Sequence, residues 1–398
     1  MVKSLDALYP QEDPSTYPTP PVAGPLVTLD AKDVSRLINQ KLTRAVAPGL
    51  DGWTRELLCP LTRDKQLMTE LTTVLTDMAN GNVPPEVAHR MRATSLTVLR
   101  KKTKKFRPIG AECVWAKAIS LLAVQAVMPA LKERFKNLQF GVGNNIELAI
   151  EKVRRDFLFK GSVAMLDGRN AYNAISRTAI LKATYGDATW KPLWAVSRLL
   201  LGAPGMVGFY ENGKMVHSWK STRGVRQGMV LGPVLFSIGT LAALRRLQRS
   251  FPNAAFTAYL DDVTVAAPPD LLGDVVAATT REMERLGIEI NTDKTEVLDP
   301  SGFCEEQGQG NGPIVQGNRG IPVFQEHAME APKRLGPPSA DVFAAHPCAG
   351  THAREREMVR RSCDGGARVH RGGADHQTRA RHRSTADPDG RVRFETAS

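Results

Sequence analysis

Residues Phe256–Pro268 read FTAYLDDVTVAAP, with two adjacent aspartates between two apolar, strand-like runs. Asp is a common turn residue, so a hairpin turn is one reading of the pair. Two like charges side by side repel, and a divalent cation seated there would offset the repulsion. Both readings put Asp261 and Asp262 between two strands.

Two further stretches gain meaning beside this one. In Val163–Arg177, VAMLDGRNAYNAISR, a short strand delivers Asp167 just before a helix. In Gly224–Phe236, GVRQGMVLGPVLF, a turn punctuated by Gly and Pro opens a helix. A strand ending in Asp is, taken alone, most often a turn or a helix N-cap. Read in order, the three stretches form a far more specific pattern than any one of them alone.

Composition narrows the class. The chain has 398 residues and a net charge of +12, with a pI near 9.6. That balance favours a polyanionic partner such as nucleic acid or an anionic membrane surface. The N-terminus, MVKSLDALYPQEDPSTYPTPP, holds acids and prolines where a signal peptide needs an apolar run. The longest apolar candidate, AISLLAVQAVMPAL, is interrupted by Gln125 and Pro129, so no membrane span is expected. Five scattered cysteines suit free thiols in a reducing compartment.

Residues 1–28 are Pro-rich and read as a flexible lead-in. Helical and strand patterns then alternate to about Leu298. AKDVSRLINQKL has helical spacing with Asp30 as N-cap. CVWAKAISLLAVQAVMPALKERF reads as a long apolar-faced helix. MVGFYENGKMVHSW reads as a hairpin whose Asn212-Gly213 pair fits a type I′ turn. Beyond residue 300 the character changes. The last lysine is Lys333, and Thr351–Ser398 holds 11 Arg, no Lys and 7 acidic residues with few large apolar ones. Such a segment buries too little apolar area to offset its ordering entropy. Two origins fit it: a frameshifted gene and a natural basic tail.

The sequence resembles the reverse transcriptase domain of non-LTR (LINE-type) retrotransposons from about Ala45 to Asp299. The resemblance rests on seven collinear blocks: APGLDGWTRELL, FRPIGAECVWAKAIS, FGVGNNIELAI, VAMLDGRNAYNAISR, RGVRQGMVLGPVLF, AYLDDVTV and GIEINTDKTEV. RQG followed by LGPVLF, with the Gly-x-Gly-x-x-x-Glu block at Gly141–Glu147, favours LINE-type enzymes over retroviral or intron-encoded relatives.

The resemblance implies an α+β right-hand polymerase fold. Fingers would span 29–160 and a palm 161–299, with an antiparallel palm sheet, flanking helices and a thumb missing or degraded in 300–398. It implies RNA-directed DNA synthesis on an RNA template and DNA primer, with dNTPs as substrates and a nuclear location. Two Mg²⁺ ions, or Mn²⁺, would serve the transfer, and hard cations take carboxylate oxygens. Asp167 and Asp261 are the implied bridging ligands, Asp262 adds charge at the rim, and the Gly168 carbonyl would complete a metal shell. Tyr172 falls where the family places an aromatic gate beneath the nucleotide sugar. Gln227 and Gly228 would line the nucleotide pocket. Arg107 would contact the triphosphate, with Lys101, Lys102, Lys104 or Lys105 sharing that role. Lys294 would neutralise or protonate the leaving pyrophosphate.

Two departures stand out. Met229 follows Gln-Gly where family members carry a small or acidic residue, which would alter template contacts or repack. No thumb is recognisable after Asp299, and the stretch before Ala45 is too short for the endonuclease that LINE proteins carry. The tail residues His346, Cys348, His352, Cys363 and His370 lack the close spacing of a zinc site. The alternative function is an inactive retroelement remnant that only binds nucleic acid. A viral-type RNA polymerase fits less well, because Tyr172 argues for dNTPs.

Overall fold

Residues 2–21, 27–100, 106–143 and 145–300 are described by the computed structural model. The lysine cluster at 101–105, including Lys101, lies outside the described residues, as do the tail, its Cys and His residues and any thumb. Among the described residues, eight strands build two sheets. They are β1 (Thr94–Arg100), β2 (Phe106–Ala111), β3 (Ser162–Asp167), β4 (Gly205–Glu211), β5 (Lys214–Ser221), β6 (Ala255–Tyr259), β7 (Asp262–Ala267) and β8 (Glu296–Leu298). With the helices around them they make a mixed α+β fold.

The first sheet has the order β6-β7-β3-β8, and every neighbouring pair is antiparallel. Its β-branched and small residues are buried on both faces at the centre: Val163, Ala164, Val265 and Ala266 are all at most 2% exposed. A sheet covered on both sides cannot show a clean two-residue alternation, which is why these strands read as apolar runs. The second sheet has the order β2-β1-β4-β5 and is mixed. β1 runs antiparallel to β2 and parallel to β4.

The β4–β5 hairpin turns as the sequence expects. Asn212 and Gly213 both have positive φ, 51° and 75°, as a type I′ turn requires. Its partner is the surprise. The hairpin lies in the 161–299 segment, yet β4 pairs with β1 from the segment before it, Thr94 facing Val207. That parallel pairing joins residues more than a hundred positions apart, and no local pattern announces it.

The long helix Val114–Phe135 lies in the main core. The Cys113 Sγ accepts the Ala116 N–H at its start. Ile119, Ala123, Val127 and Leu131 share one continuous cluster with Ile180, Leu200, Leu235 and Leu244. Full burial of each large aliphatic side chain contributes about 1.5–3 kcal/mol. Contrary to the sequence reading, this helix is long and apolar enough to cross a membrane by length and composition; 56% of that window is buried inside the fold. Near the N-terminus, Asp30 caps Ala31–Arg36 by accepting the Lys32 N–H at 2.6 Å, and the helix continues as a π turn, Leu37–Lys41.

The lead-in is not the free segment the sequence suggests. Leu5 is fully buried in a satellite cluster with Leu96, Val207 and Trp219. Tyr9 stacks on Trp219 at 5.3 Å, and the Trp219 Nε1–H donates to Asp6 Oδ1 at 2.7 Å. Glu12 accepts the backbone N–H groups of Arg177 and Thr178, at 2.7 and 3.1 Å, and the Ser176 hydroxyl at 2.8 Å. A carboxylate there satisfies orphan donors at the start of helix Arg177–Tyr185 and complements its dipole. Leu and aromatic side chains ahead of the first proline, Leu5, Leu8 and Tyr9, give this arm burial, and proline lowers the entropy lost on ordering it.

Candidate active site

The three aspartates meet where β3 ends and β7 begins. Asp167 is the last residue of β3 and pairs directly across the sheet with Asp262, the first residue of β7. Asp261 precedes it in the two-residue loop Leu260-Asp261 that closes the β6–β7 hairpin, with Tyr259 facing Asp262. The hairpin and cation readings of the Asp pair are therefore compatible: one aspartate is in the turn and both are beside Asp167.

The electrostatics of this edge follow from crowding three carboxyls. Loss of water, then the charge of Asp167, raises the Asp261 carboxyl, opposed by its own backbone N–H, Arg107 and Lys294. Although Asp262 keeps exposed surface, partial loss of water, then Asp261 and Asp167, push it up to about 6. Lys294 again pulls the other way. Its ammonium sits on Asp167, with Nζ 3.0 Å from Oδ1 and 2.8 Å from Oδ2. Asn291 holds the same residue from behind: its N–H donates to the Asp167 carbonyl at 2.8 Å, and its Nδ2 to Oδ2 at 3.4 Å.

This donor set suits a hard divalent cation. All three groups are carboxylates, one already holds a cationic group, and the other two resist ionisation without more positive charge. Among the described residues no three His, Cys, Asp or Glu side chains converge tightly enough to hold an ion as they stand. Gly168 lies at the same edge and bridges Ile290.

Around this edge, the other expected residues occupy distinct places. Arg107, on β2, lies close enough to stabilise the charge of Asp261. The Gln227 carbonyl accepts the N–H of Gly110 at 2.8 Å, tying the Gln-Gly turn to β2. Gly228 has φ +97°, and a Cβ there would lie 2.3 Å from the Gly110 carbonyl oxygen. Only glycine fits that approach. Tyr172 is 7% exposed and stacks on Phe236, centroids 4.9 Å apart and planes at 6°. Met229 is 3% exposed and packs in the core, so its departure from the family is repacking.

Several supporting residues escape sequence reasoning. Glu112 and Arg226 form a buried pair at 3.6 Å, 1% and 3% exposed side chains. The Glu112 Oε2 also accepts the Val230 N–H at 3.0 Å. This pair joins the end of RPIGAE to VRQGMV, two blocks far apart in the chain. Arg177, fully buried, donates to the carbonyls of Ser221, Arg223 and Gly224 and holds the loop before that turn. Gln139 contacts the Leu260-Asp261 turn itself. Arg226 is the Arg of RQG itself and Gln139 adjoins the Gly141 block, so membership of or proximity to a motif was the available signal.

Residues 99–313, more than half of the sequence, match the family described as "Reverse transcriptase (RNA-dependent DNA polymerase)". The chain belongs to the reverse transcriptase family. It is 63% identical over 287 residues to the Retrotransposable element SLACS 132 kDa protein of Trypanosoma brucei gambiense. That alignment covers 72% of this chain and 24% of the relative, so the chain spans about a quarter of the relative's length. The expectation of a non-LTR retrotransposon reverse transcriptase domain is thereby met. Solved structures that it resembles include telomerase from Candida albicans with a telomeric RNA fragment (TM-score 0.42, 13% identity, 60% of this chain and 46% of that one). Apo telomerase from Candida tropicalis gives a TM-score of 0.43 at 14% identity, over 60% of this chain and 49% of that one.

Proposed function

We propose that this chain extends a DNA primer on an RNA template with dNTPs, using Asp167, Asp261 and Asp262 to hold two Mg²⁺ ions. The observation that carries the reading is the meeting of Asp167 and Asp262 as cross-strand partners beside Asp261, with Lys294 on Asp167. In this reading the β6-β7-β3-β8 sheet is the palm, and β1, β2 and the helices before them belong to the fingers. Two bound divalent ions would activate the primer hydroxyl and stabilise the leaving oxygen.

The protein's own groups have the remaining work. Carboxylate oxygens of Asp167 and Asp261, with the Gly168 carbonyl, would hold the cations, and Asp262 would add negative potential and a weaker ligand. Arg107, already within reach of Asp261, binds triphosphate oxygens through its planar fork. Lys294 transfers its contact from Asp167 to the departing pyrophosphate, as a charge or as a proton donor. Tyr172 walls off the 2′ position of the sugar, and Gln227 and Gly228 line the nucleotide pocket. The basic balance of the chain holds the hybrid largely through its backbone. A nuclear location belongs to the same proposal.

Primer extension on an RNA template tests this reading. Asp261→Asn should remove it by several orders of magnitude, about 10³-fold or more, since an amide cannot replace a charged oxygen ligand. Wild-type chain that binds the hybrid and never extends it would favour the inactive-remnant alternative.

A further inference from the structure

The loop that carries Asp261 has an unusual first residue. In a two-residue β-hairpin loop where the first central residue alone has positive φ, that residue is ordinarily glycine. Here it is Leu260, at φ +59°. An L residue with a Cβ resists that conformation and keeps it only where its surroundings over-determine it.

Those surroundings come from one short segment. The Gln139 side chain grips Leu260 at both backbone groups. Its Oε1 accepts the Leu260 N–H at 2.8 Å, and its Nε2 donates to the Leu260 carbonyl at 3.2 Å. The same Oε1 accepts the Gly141 N–H at 2.9 Å. Gln139 is 3% exposed, so water has little access to replace it. The segment is itself fixed to the hairpin: the Ala258 N–H donates to the Leu138 carbonyl at 2.7 Å, and the Phe140 N–H to the Ala258 carbonyl at 2.8 Å. Gly141 completes the seat. A Cβ there would lie 2.4 Å from Leu260 Cγ and 2.6 Å from Leu260 N, so no larger residue fits against the turn as built. Below, Leu260 lines an apolar cavity with Gly168, Phe236, Val263, Ile288 and Ile290.

We propose that Gln139, seated with Gly141, is a positioning residue that holds the Leu260-Asp261 turn in its left-handed conformation and so sets the Asp261 carboxylate against Asp167. It touches no substrate and acts through the turn. The polymerase consequence rests on the function proposed above; the conformational consequence does not. A clamp is needed because residue 260 is Leu, so a glycine there should remove the need.

Gln139→Met keeps the volume and loses both polar atoms. We expect backbone amide hydrogen exchange at Leu260 and Asp261 to quicken while β3 and the core helices exchange as before. Mn²⁺ affinity without nucleic acid, followed by electron paramagnetic resonance, should weaken. In primer extension kcat should fall about 100-fold, as for a small misplacement of a reacting group, with the dNTP KM little changed. Leu260→Gly added to Gln139→Met should restore most of the Mn²⁺ affinity and kcat. Gln139→Glu should behave like Gln139→Met, because it sets an oxygen against the Leu260 carbonyl. Unchanged amide exchange at Leu260 and Asp261 in Gln139→Met would overturn the proposal. So would a loss of kcat that Leu260→Gly fails to rescue. If the wild type shows no polymerase activity, the function proposed above fails, and amide exchange with Mn²⁺ binding still decides the clamp.

Discussion

Lys294 contacts both carboxylate oxygens of Asp167, at 3.0 and 2.8 Å, from a 3₁₀ turn between the last helix and β8. A lysine ammonium therefore competes for the oxygens that the proposed cation would use. Removing it should separate two effects that a simple structural role would move together. In Lys294→Met, Mn²⁺ should bind more tightly by a few-fold, because the competitor is gone. Primer extension should nonetheless slow by about 10²-fold, the usual range for a lost proton donor. Lower Mn²⁺ affinity in this variant would count against competition at Asp167. The pair is partly exposed, 55% and 31% for the two side chains, so its loss should cost under about 1 kcal/mol of stability.

Asp262 gives a prediction with a definite sign. Its carboxyl stands at about 6 in the folded chain against an ordinary 3.8. The folded state then holds the proton more tightly than the unfolded state, so this group favours folding while protonated. That contribution is fully present below about pH 4 and is lost as pH rises through about 6. Glu12, lowered by hydrogen bonds at its helix N-terminus despite partial burial, works in the opposite direction. The clean measurement is the difference between wild type and Asp262→Asn in thermal unfolding without divalent ions. The variant should gain on the wild type between pH 4 and pH 6 and stay ahead at pH 7. Parallel curves for the two proteins would refute the assignment.

Glu112 and Arg226 make a buried ion pair that links β2 to the turn before Gln227. Removing one partner leaves a charge in the interior. Glu112→Leu alone should cost about 3–5 kcal/mol. The double change Glu112→Leu, Arg226→Met should recover much of that, because a buried pair can be exchanged for apolar packing at little cost. Urea unfolding of the four species of this cycle measures it. Additive losses in the double variant would show that the two side chains do not act as a pair.

How much of this was legible beforehand follows from the range of each interaction. Asp167, Asp261 and Asp262 were readable because strand ends and turns leave local marks, and the register Asp167↔Asp262 follows once the strands pair. The type I′ turn at Asn212-Gly213 was readable for the same reason. The parallel β1–β4 pairing was not, since parallel contacts form between distant residues and leave no turn signature. The ordered arm was hidden by its prolines, which signal a loop without saying whether it is packed. Gln139 was hidden because its work depends on the φ of Leu260, a property of the folded backbone.

Tyr172 carries the prediction that separates packing from selectivity. Its ring is buried and lies parallel to Phe236 at 4.9 Å. Tyr172→Ala removes that stack and leaves a cavity, so unfolding should need about 3 kcal/mol less, as for large-to-small aromatic changes. If the ring also walls the 2′ position, the same variant should accept rNTPs while keeping dNTP incorporation, since no metal ligand is lost. Phe236→Ala provides the control. It breaks the same stack from the other side and should lose comparable stability, yet it should still reject rNTPs. Tyr172→Phe should still reject rNTPs, because ring and stack remain. Competition between a dNTP and its rNTP at a single template position reads the discrimination ratio directly. If Tyr172→Ala and Phe236→Ala relax that ratio equally, the ring is core packing and the gate lies elsewhere. If Tyr172→Ala alone relaxes it, the Tyr172 ring is itself the wall, and the stack on Phe236 serves packing.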